Sequence, residues 1–477
     1  MLKKIIYICL GVAVISLTFS ACKIPGSLSR TENKTVPERF NNSPDTINSA
    51  SIKWKDYFTD SYLTALIDTA LINNQELNIT IQEIEISRNE IRAKKGEYLP
   101  SLGLGAGAQV EKVGRYTSQG ANDANTNITP SKEFPDPLPD FIVGAYARWE
   151  IDIWKKLRNG KKAAISRYLS STAGKNFMVT NLIAEIANSY YELLALDNEL
   201  SIVEQNIKIQ SNALKVVRLQ KLAGEVNELA VKRFEAQVLN TKGLQYRIKQ
   251  EIIEAENMIN FLVGRFPQKV ERNTNSFNKL IPNTVFAGLP SQLLDNRPDI
   301  KQAEMELEAA KLDVKVAKAR FYPSLGISAS IGLQAFNPTY LLEIPESIIY
   351  SLVGDMAAPL INRNAIKASY YNASAKQLQA VFNYERTILN AYIEIVNQLS
   401  NIDNLDKSYK LKKEEVETLT TSITIANNLF KSARADYMEV LLTQRESLES
   451  KFELVETKKQ QMNAVVNVYK ALGGGWN

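Results

Sequence analysis

The chain has 477 residues, 45% of them hydrophobic and 23% charged, with a formal charge of +5. That apolar content suffices for two or three ordinary domains and excludes global disorder. Charge this balanced, with no cluster of Lys and Arg, argues against nucleic acid as a partner. Histidine is absent and cysteine occurs only twice, so the commonest general base, the commonest zinc ligand and most thiol chemistry are missing.

Lys3 and Lys4 precede an apolar run from Ile5 to Phe19 and then Ser20-Ala21-Cys22. This reads as a signal peptide over 1-21, the run being too short to span a bilayer comfortably. Small residues before a cysteine match a bacterial lipobox, with Phe19 standing where Leu is usual. Cys22 is therefore expected to carry a covalent diacylglycerol and an N-acyl lipid; the other reading is an ordinary secretory signal with an incidental cysteine. Cys9 leaves with the leader, so no disulfide can form within the mature chain, whose charge falls to about +3. Lys23, not Asp, follows the cysteine, which points to the outer membrane of a Gram-negative bacterium.

In chain order, 22-53 is a lipid-anchored linker and a first unit covers 54-264. Within it a strand is predicted at about 100-112, where Leu102, Leu104, Ala106, Ala108 and Val110 alternate with Gly103, Gly105, Gly107 and Gln109. The polar segment from Gly114 to Asp140 suits an extracellular loop. A second strand, about 140-153, places Phe141, Val143, Ala145, Ala147, Trp149 and Ile151 on one side; Arg148, Glu150 and Asp152 lie on the other and are expected to face water in a lumen. Proline is then absent from Asp140 through Phe266, and Val179, Ile183, Ile186, Tyr190 and Leu193 recur at close to 3.5 residues. That is a coiled-coil seam in a helical hairpin over 161-264. One helix from Lys161 to Lys221 would be roughly 90 Å long, which requires a rod or tube.

Residues 265-295 form a linker or equatorial region, and 296-477 form a second unit. Asn296-Arg297-Pro298-Asp299 reads as a turn and helix start, with Pro298 at the first helical position. Strands follow at about 323-336 and 346-360, then a proline-free helical hairpin over 362-473.

The two units are copies. Tyr98-Leu99-Pro100-Ser101-Leu102-Gly103 returns 223 positions later as Phe321-Tyr322-Pro323-Ser324-Leu325-Gly326, and Gly224 and Gly264 stand opposite Ala433 and Gly473 at a displacement of 209. Four strands of about ten residues fit a membrane wall but cannot close one, and an open edge in lipid costs several kcal/mol per unpaired backbone group. Three copies would supply twelve strands.

Five segments carry a family resemblance: Tyr98-Leu-Pro-Ser-Leu, Trp149-Glu-Ile-Asp-Ile-Trp, Asn296-Arg-Pro-Asp-Ile, Phe321-Tyr-Pro-Ser-Leu and Leu472-Gly-Gly-Gly-Trp476. In this order and spacing the chain, from Trp54 to Trp476, resembles the TolC family of outer-membrane efflux channels, nearest its lipoprotein branch. The resemblance implies an α+β membrane protein: a homotrimer with a twelve-stranded β-barrel, four strands per protomer, continued by a long α-helical coiled-coil periplasmic tunnel. It implies passive export of drugs or other small molecules without catalysis, in company with a periplasmic adaptor (membrane fusion protein) and an inner-membrane pump of the resistance-nodulation-division (RND) class. A type I protein-secretion duct and a non-conducting lipoprotein scaffold are the alternatives. Trp149 is expected as a lipid-facing or interfacial anchor.

By the same likeness the periplasmic gate lies where the hairpins turn, near Leu222 to Leu229 and Lys431 to Met438. Glu439 matches the first acidic ring of relatives, while Leu442 replaces the second with an apolar constriction able to gate by dewetting. Ala230 and Ala435 replace acidic and basic latch residues, so the enteric salt-bridged lock is not expected; Asp436, Arg434 and Glu228 are nearby charges. Gly224 and Glu225 in the first turn, and Ala433 and Arg434 in the second, are the expected adaptor-docking positions.

Overall fold

A computed structural model describes residues 26, 30–40, 48–129, 131–274, 277, 280, 282, 286–359, 363–432 and 434–476. Cys22 and Ala433 lie outside the described residues. The main elements are α1 (Ser61–Asn73), α2 (Gln75–Tyr98), β1 (Ser101–Glu111), β2 (Leu138–Ile151), α3 (Lys156–Leu222), α4 (Glu228–Val263), α5 (Pro298–Ala319), β3 (Ser324–Ala335), β4 (Ile348–Ala357), α6 (Asn364–Lys431) and α7 (Tyr437–Ala471). The helix expected from Lys161 starts five residues earlier, and the Gly114–Asp140 segment carries a short helix at Ser118–Asp123 and a two-stranded ribbon of its own.

The chain forms two compact units that cut across the two sequence repeats. Among the described residues, those within 1–31, 85–168 and 305–381 form the first and those within 32–84, 169–304 and 382–477 form the second. The first unit holds an antiparallel sheet ordered β1-β2-β3-β4. Its register puts Leu104 opposite Ala145, Ala145 opposite Ile331 and Ile331 opposite Tyr350. Because side chains alternate with period two, every apolar position picked out by alternation falls on the same face. Glycines on the other face allow close strand approach: a Cβ on Gly144 would lie 2.7 Å from the Ile331 carbonyl oxygen, and one on Gly332 2.5 Å from that of Val143.

The second unit is helical. Its largest core joins α1 and Trp54, Tyr57 and Phe58 to Ile183, Ile186, Tyr190 and Leu193 of α3 and to Val455, Met462 and Tyr469 of α7. Tyr57 stacks on Tyr469 at 4.0 Å between centroids. The seam expected at a 3.5-residue period is thus a buried one. Residues 33–40 lie against α6 and α5: the Asn33 amide donates to Glu385 of α6, Lys34 pairs with Glu304 of α5 at 2.8 Å, and the fully buried Phe40 stacks on Tyr392 of α6 at 5.4 Å.

The helix ends repeat as faithfully as the sequence. After α4, Gly264 has φ of +77° and the N–H groups of Gly264 and Arg265 donate to Phe261 and Asn260; after α7, Gly473 has φ of +89° and the N–H groups of Gly473 and Gly474 donate to Lys470 and Tyr469. This is the Schellman arrangement that glycine enters without a Cβ penalty. The same corner receives a side chain from the start of each repeat. Asn74 Nδ2 donates to the Leu262 carbonyl at 2.9 Å, and Arg297, 223 positions on, donates to the Ala471 carbonyl at 2.7 Å.

Candidate functional site

The sheet and the hairpin turns are the two places where the architecture leaves chemistry unfinished. In the sheet, β1 and β4 each have one strand neighbour, so each presents a row of unpaired backbone donors and acceptors. On the common apolar face Leu102, Leu104, Tyr350, Leu352 and Met356 are between 69% and 85% exposed. An apolar face of that extent in water would be a liability; against lipid hydrocarbon it is the favourable surface. The opposite face is mostly Ser, Gly, Gln and charged side chains, with Ile142, Tyr146 and Val353 interspersed; its Gln109 and Gln334 both donate to Asp140. No helix among the described residues is long and apolar enough to cross a membrane.

The aromatic residues of the second motif tie the strand ends to the repeated proline corners. Trp149 sits on the apolar face and its Nε1 donates to the Tyr98 carbonyl at 3.2 Å. Trp154 stacks on Tyr322 at 4.6 Å, and its Nε1 donates to the Pro323 carbonyl at 2.7 Å. Glu150 pairs with Lys156. Asp152 does not face a lumen. The strand stops at Ile151, the alternation stops with it, and Asp152 is only 6% exposed, accepting from the backbone N–H groups of Leu157 and Arg158 and from the Arg158 guanidinium. Its charge satisfies orphan donors at the start of α3.

In the second unit, α3 and α4 turn through Ala223–Asn227. Gly224, at φ +79°, donates to the Lys221 carbonyl at 3.0 Å, and the Glu225 N–H donates to Gln220 at 2.9 Å. Asn227 caps α4 by accepting from the Ala230 N–H at 3.1 Å, and Lys221 pairs with Glu228 across the turn. The turn between α6 and α7 repeats this, the Arg434 N–H donating to Leu429 at 2.9 Å and Asp436 accepting from the Met438 N–H at 3.4 Å. Asp436 is therefore the cap of α7, at the position of Asn227. Glu439 and Leu442 are both exposed and lie three residues apart, on a face that avoids the buried Val440 and Gln444. Gly224, Glu225 and Arg434 are exposed at the turns.

Beside the turns the hairpins pack through Leu214, Val217, Phe234, Val238, Ala426 and Val440. A groove of about 340 Å³ opens next to them, lined by Ile209, Val216, Asn427, Phe430 and Gln444 among others. The Gln444 amide is 2% exposed and neither of its polar atoms has a partner.

Sequence reasoning misses two buried guanidinium clusters. Arg297 pairs with Asp299 through Nε and Nη2 at 3.0 and 2.7 Å and with Glu394 at 2.8 Å, while Arg272 pairs with Asp197 and Glu256, each at 2.5 Å at the closest. Burial alone lowers the proton affinity of Arg297; Asp299 and Glu394 more than reverse this and hold the guanidinium above its ordinary pKa. The Asn-Arg-Pro-Asp motif does start a helix at Pro298, as read, but it also binds three helices together.

The profile of the family described as "Outer membrane efflux protein" matches residues 66–265 and 289–474. Among curated relatives, the pyoverdine export outer membrane protein OpmQ of Pseudomonas aeruginosa is 27% identical over 89% of this chain and 87% of its own length. The cation efflux system protein CusC of Escherichia coli K12 is 24% identical over 97% of this chain and 98% of its own. Among solved structures, the open-state MtrE outer membrane channel of Neisseria gonorrhoeae superimposes with a TM-score of 0.82 at 23% identity, covering 95% of this chain and 98% of that one. The fold is that of a TolC-like channel protomer, which contributes four strands to a barrel shared by three copies. The chain belongs to the outer membrane efflux protein family and is an outer-membrane exit component of an efflux system.

Proposed function

We propose that three copies form the passive exit duct of a tripartite RND-type efflux system, held by lipid on Cys22, reached through a periplasmic adaptor and specific for no single cargo. The observation that carries this reading is the four-stranded sheet with one exposed apolar face and two unpaired edges. Such a sheet is satisfied by lipid on one side, water on the other and identical neighbours at each edge. Relatives named for pyoverdine, cation and solvent export share the scaffold, which supports a wide conduit whose cargo is chosen by the inner-membrane pump.

The division into a leader (1-21), an anchored linker (22-53), two efflux repeats (54-264 and 296-477) and a 265-295 linker belongs to the same proposal. So does the gate. Glu439 and Leu442 would ring the closed aperture as one carboxylate layer and one apolar layer, the second excluding water when narrow. Asp436 contributes by fixing the start of α7 and hence the direction in which both side chains project. Gly224, Glu225, Ala433 and Arg434 would meet the adaptor. The tight Gly224 turn and the adjacent groove, with its unpaired Gln444 amide, support a helix-into-groove contact that favours the dilated state.

The experiment is gene deletion with complementation, scoring susceptibility to drugs, dyes and bile salts beside export of large proteins. It is paired with conductance of the purified protein in planar bilayers. Restored drug resistance and ion conduction support the reading. Defects confined to protein export point to a type I duct, and no conduction at all points to a scaffold. Unchanged conductance and cation preference in Glu439→Ala would remove that residue from the gate.

A further inference from the structure

Charge that balances over the whole chain is segregated at the two ends of the sheet. The starts of β1 and β3 and the ends of β2 and β4 lie on one side, where each strand joins a long helix; the other side carries the connections 112–137 and 336–347. At the helical end Lys155, Lys156, Arg158, Lys161 and Lys162 follow Trp154 with no Asp or Glu among them. Lys315, Lys318 and Arg320 close α5 and its exit, and Arg363 and Lys367 open α6, with no acid between Asp313 and β3 or between β4 and Glu385. This is a basic cluster that the overall balance conceals. The other end has no such excess: Asp123, Glu133 and Asp136 match Lys112, Arg115 and Lys132 in one connection, and Glu343 and Glu346 are the only charges in the other.

The basic segments converge on one place. A cleft of about 170 Å³ at the helical end of the sheet is lined by Trp154, Lys156, Arg320, Tyr322, Ser324 and Ala357 among others. The acids that share it are already engaged, Glu150 by Lys156 and Asp152 by Arg158 and the first amides of α3. Arg320 is exposed and donates to the Ser369 hydroxyl at 3.4 Å, while Lys155, Lys162 and Lys318 are exposed with no carboxylate partner among the described residues. Beside them Ile153 and Trp154 are 48% and 46% exposed. Indole and phenol rings at the rim of a hydrocarbon-facing surface mark the headgroup level of a bilayer, and free cations at that level attract lipid phosphate. We propose that this collar binds an anionic glycerophospholipid of the periplasm-facing leaflet, its phosphate drawn to Arg320 and Lys155 and its acyl chains laid on the apolar face of the sheet. The leaflet follows from the side of the sheet, since the helices that carry the cations lead into the periplasm in a TolC-like channel, and lipid A phosphates at the other surface meet no matching excess. The inference needs the membrane-inserted sheet and is independent of adaptor, pump and cargo.

The test titrates the full-length protein in nonionic detergent with phosphatidylglycerol, phosphatidylethanolamine or lipid A and counts bound lipid by native mass spectrometry. Wild type is expected to bind phosphatidylglycerol at least about tenfold more tightly than phosphatidylethanolamine, with a preference that shrinks as salt rises. Losing one cation near an anionic surface costs roughly fivefold, so Lys155→Asn with Arg320→Gln should weaken phosphatidylglycerol binding roughly twenty-five-fold. Lys155 has φ of +59°, which Asn adopts readily, and Gln at 320 keeps a donor for Ser369, so neither change disturbs the backbone. Lys112→Gln with Lys132→Gln, at the other end of the sheet, should leave this binding unchanged. Equal binding of the two phospholipids by wild type, a preference that survives the Lys155 and Arg320 changes, or tighter binding of lipid A than of phosphatidylglycerol overturns the inference. The wild-type comparison decides even where the double variant does not fold.

Discussion

Replacing Arg297 by Asn converts the second repeat to the residue the first repeat uses at the same place, since Asn74 already reaches the equivalent carbonyl. The cap on Ala471 can thus survive while the charge is lost. Asp299 and Glu394, 16% and 35% exposed, would then be left without their counter-ion. Breaking a buried pair from one side costs about 3–5 kcal/mol. Glu394 keeps partial access to water, so the lower end applies, about 3 kcal/mol, or roughly a hundredfold in an opening equilibrium. The assay is hydrogen exchange of the Leu472–Gly474 amides, which are held in the Schellman corner, because it reads local opening even where global unfolding is irreversible. Exchange should accelerate roughly a hundredfold, and adding Asp299→Asn and Glu394→Gln should recover more than half of the loss. Exchange within about threefold of wild type in Arg297→Asn would refute the view that this ion cluster clamps the helices.

Three further outcomes are expected. Glu199, on α3, has its carboxyl pushed up to about 7 by burial and then by Glu251 and Glu456, against the pull of Lys459. A raised carboxylate pKa stabilises the fold below the ordinary value near 4.5 and loses that contribution as pH rises through about 7. After allowance for solvent screening the loss is about 1–2 kcal/mol, and Glu199→Gln should flatten the pH dependence of thermal unfolding between about pH 5 and 8. Gly224 has φ of +79° and no atom within 4 Å of the point a Cβ would occupy, so only backbone strain opposes substitution. Gly224→Val should cost about 1–2 kcal/mol and reduce drug resistance in complementation, with Gly224→Asn close to wild type. Gly144→Val collides with the Ile331 carbonyl and Gly332; it should abolish the heat-modifiable trimer band in outer-membrane fractions, whereas Gly354→Val, with open space around it, should keep it.

How far the sequence can be read depends on the range of the interactions. Strand alternation and proline placement are local, so β1 to β4 and the two turns are visible from Leu102, Trp149, Pro323 and Gly224 and their neighbours. The repeat adds the pairing logic, because four strands demand company. Arg297 can be placed at a helix start, but its role as a clamp cannot: Glu394 and Ala471 are 97 and 174 residues away. Asp152 is misread for the opposite reason, a period of two being carried one residue beyond the end of its strand. A cue is present, since an acidic residue four places ahead of Lys156 suits the positive end of a helix. The strap over 33–40 and its buried Phe40 have no periodic signal at all.

The unpaired margins of β1 and β4 have a genetic corollary. A wall completed by three equal contributors is only as sound as its worst member, so a variant that still joins its neighbours but cannot zip along one margin spoils the products of normal alleles too. With equal expression of both forms and random mixing, about one assembly in eight would contain no defective member, and the lesion would behave as dominant in a cell that carries an intact copy of the gene.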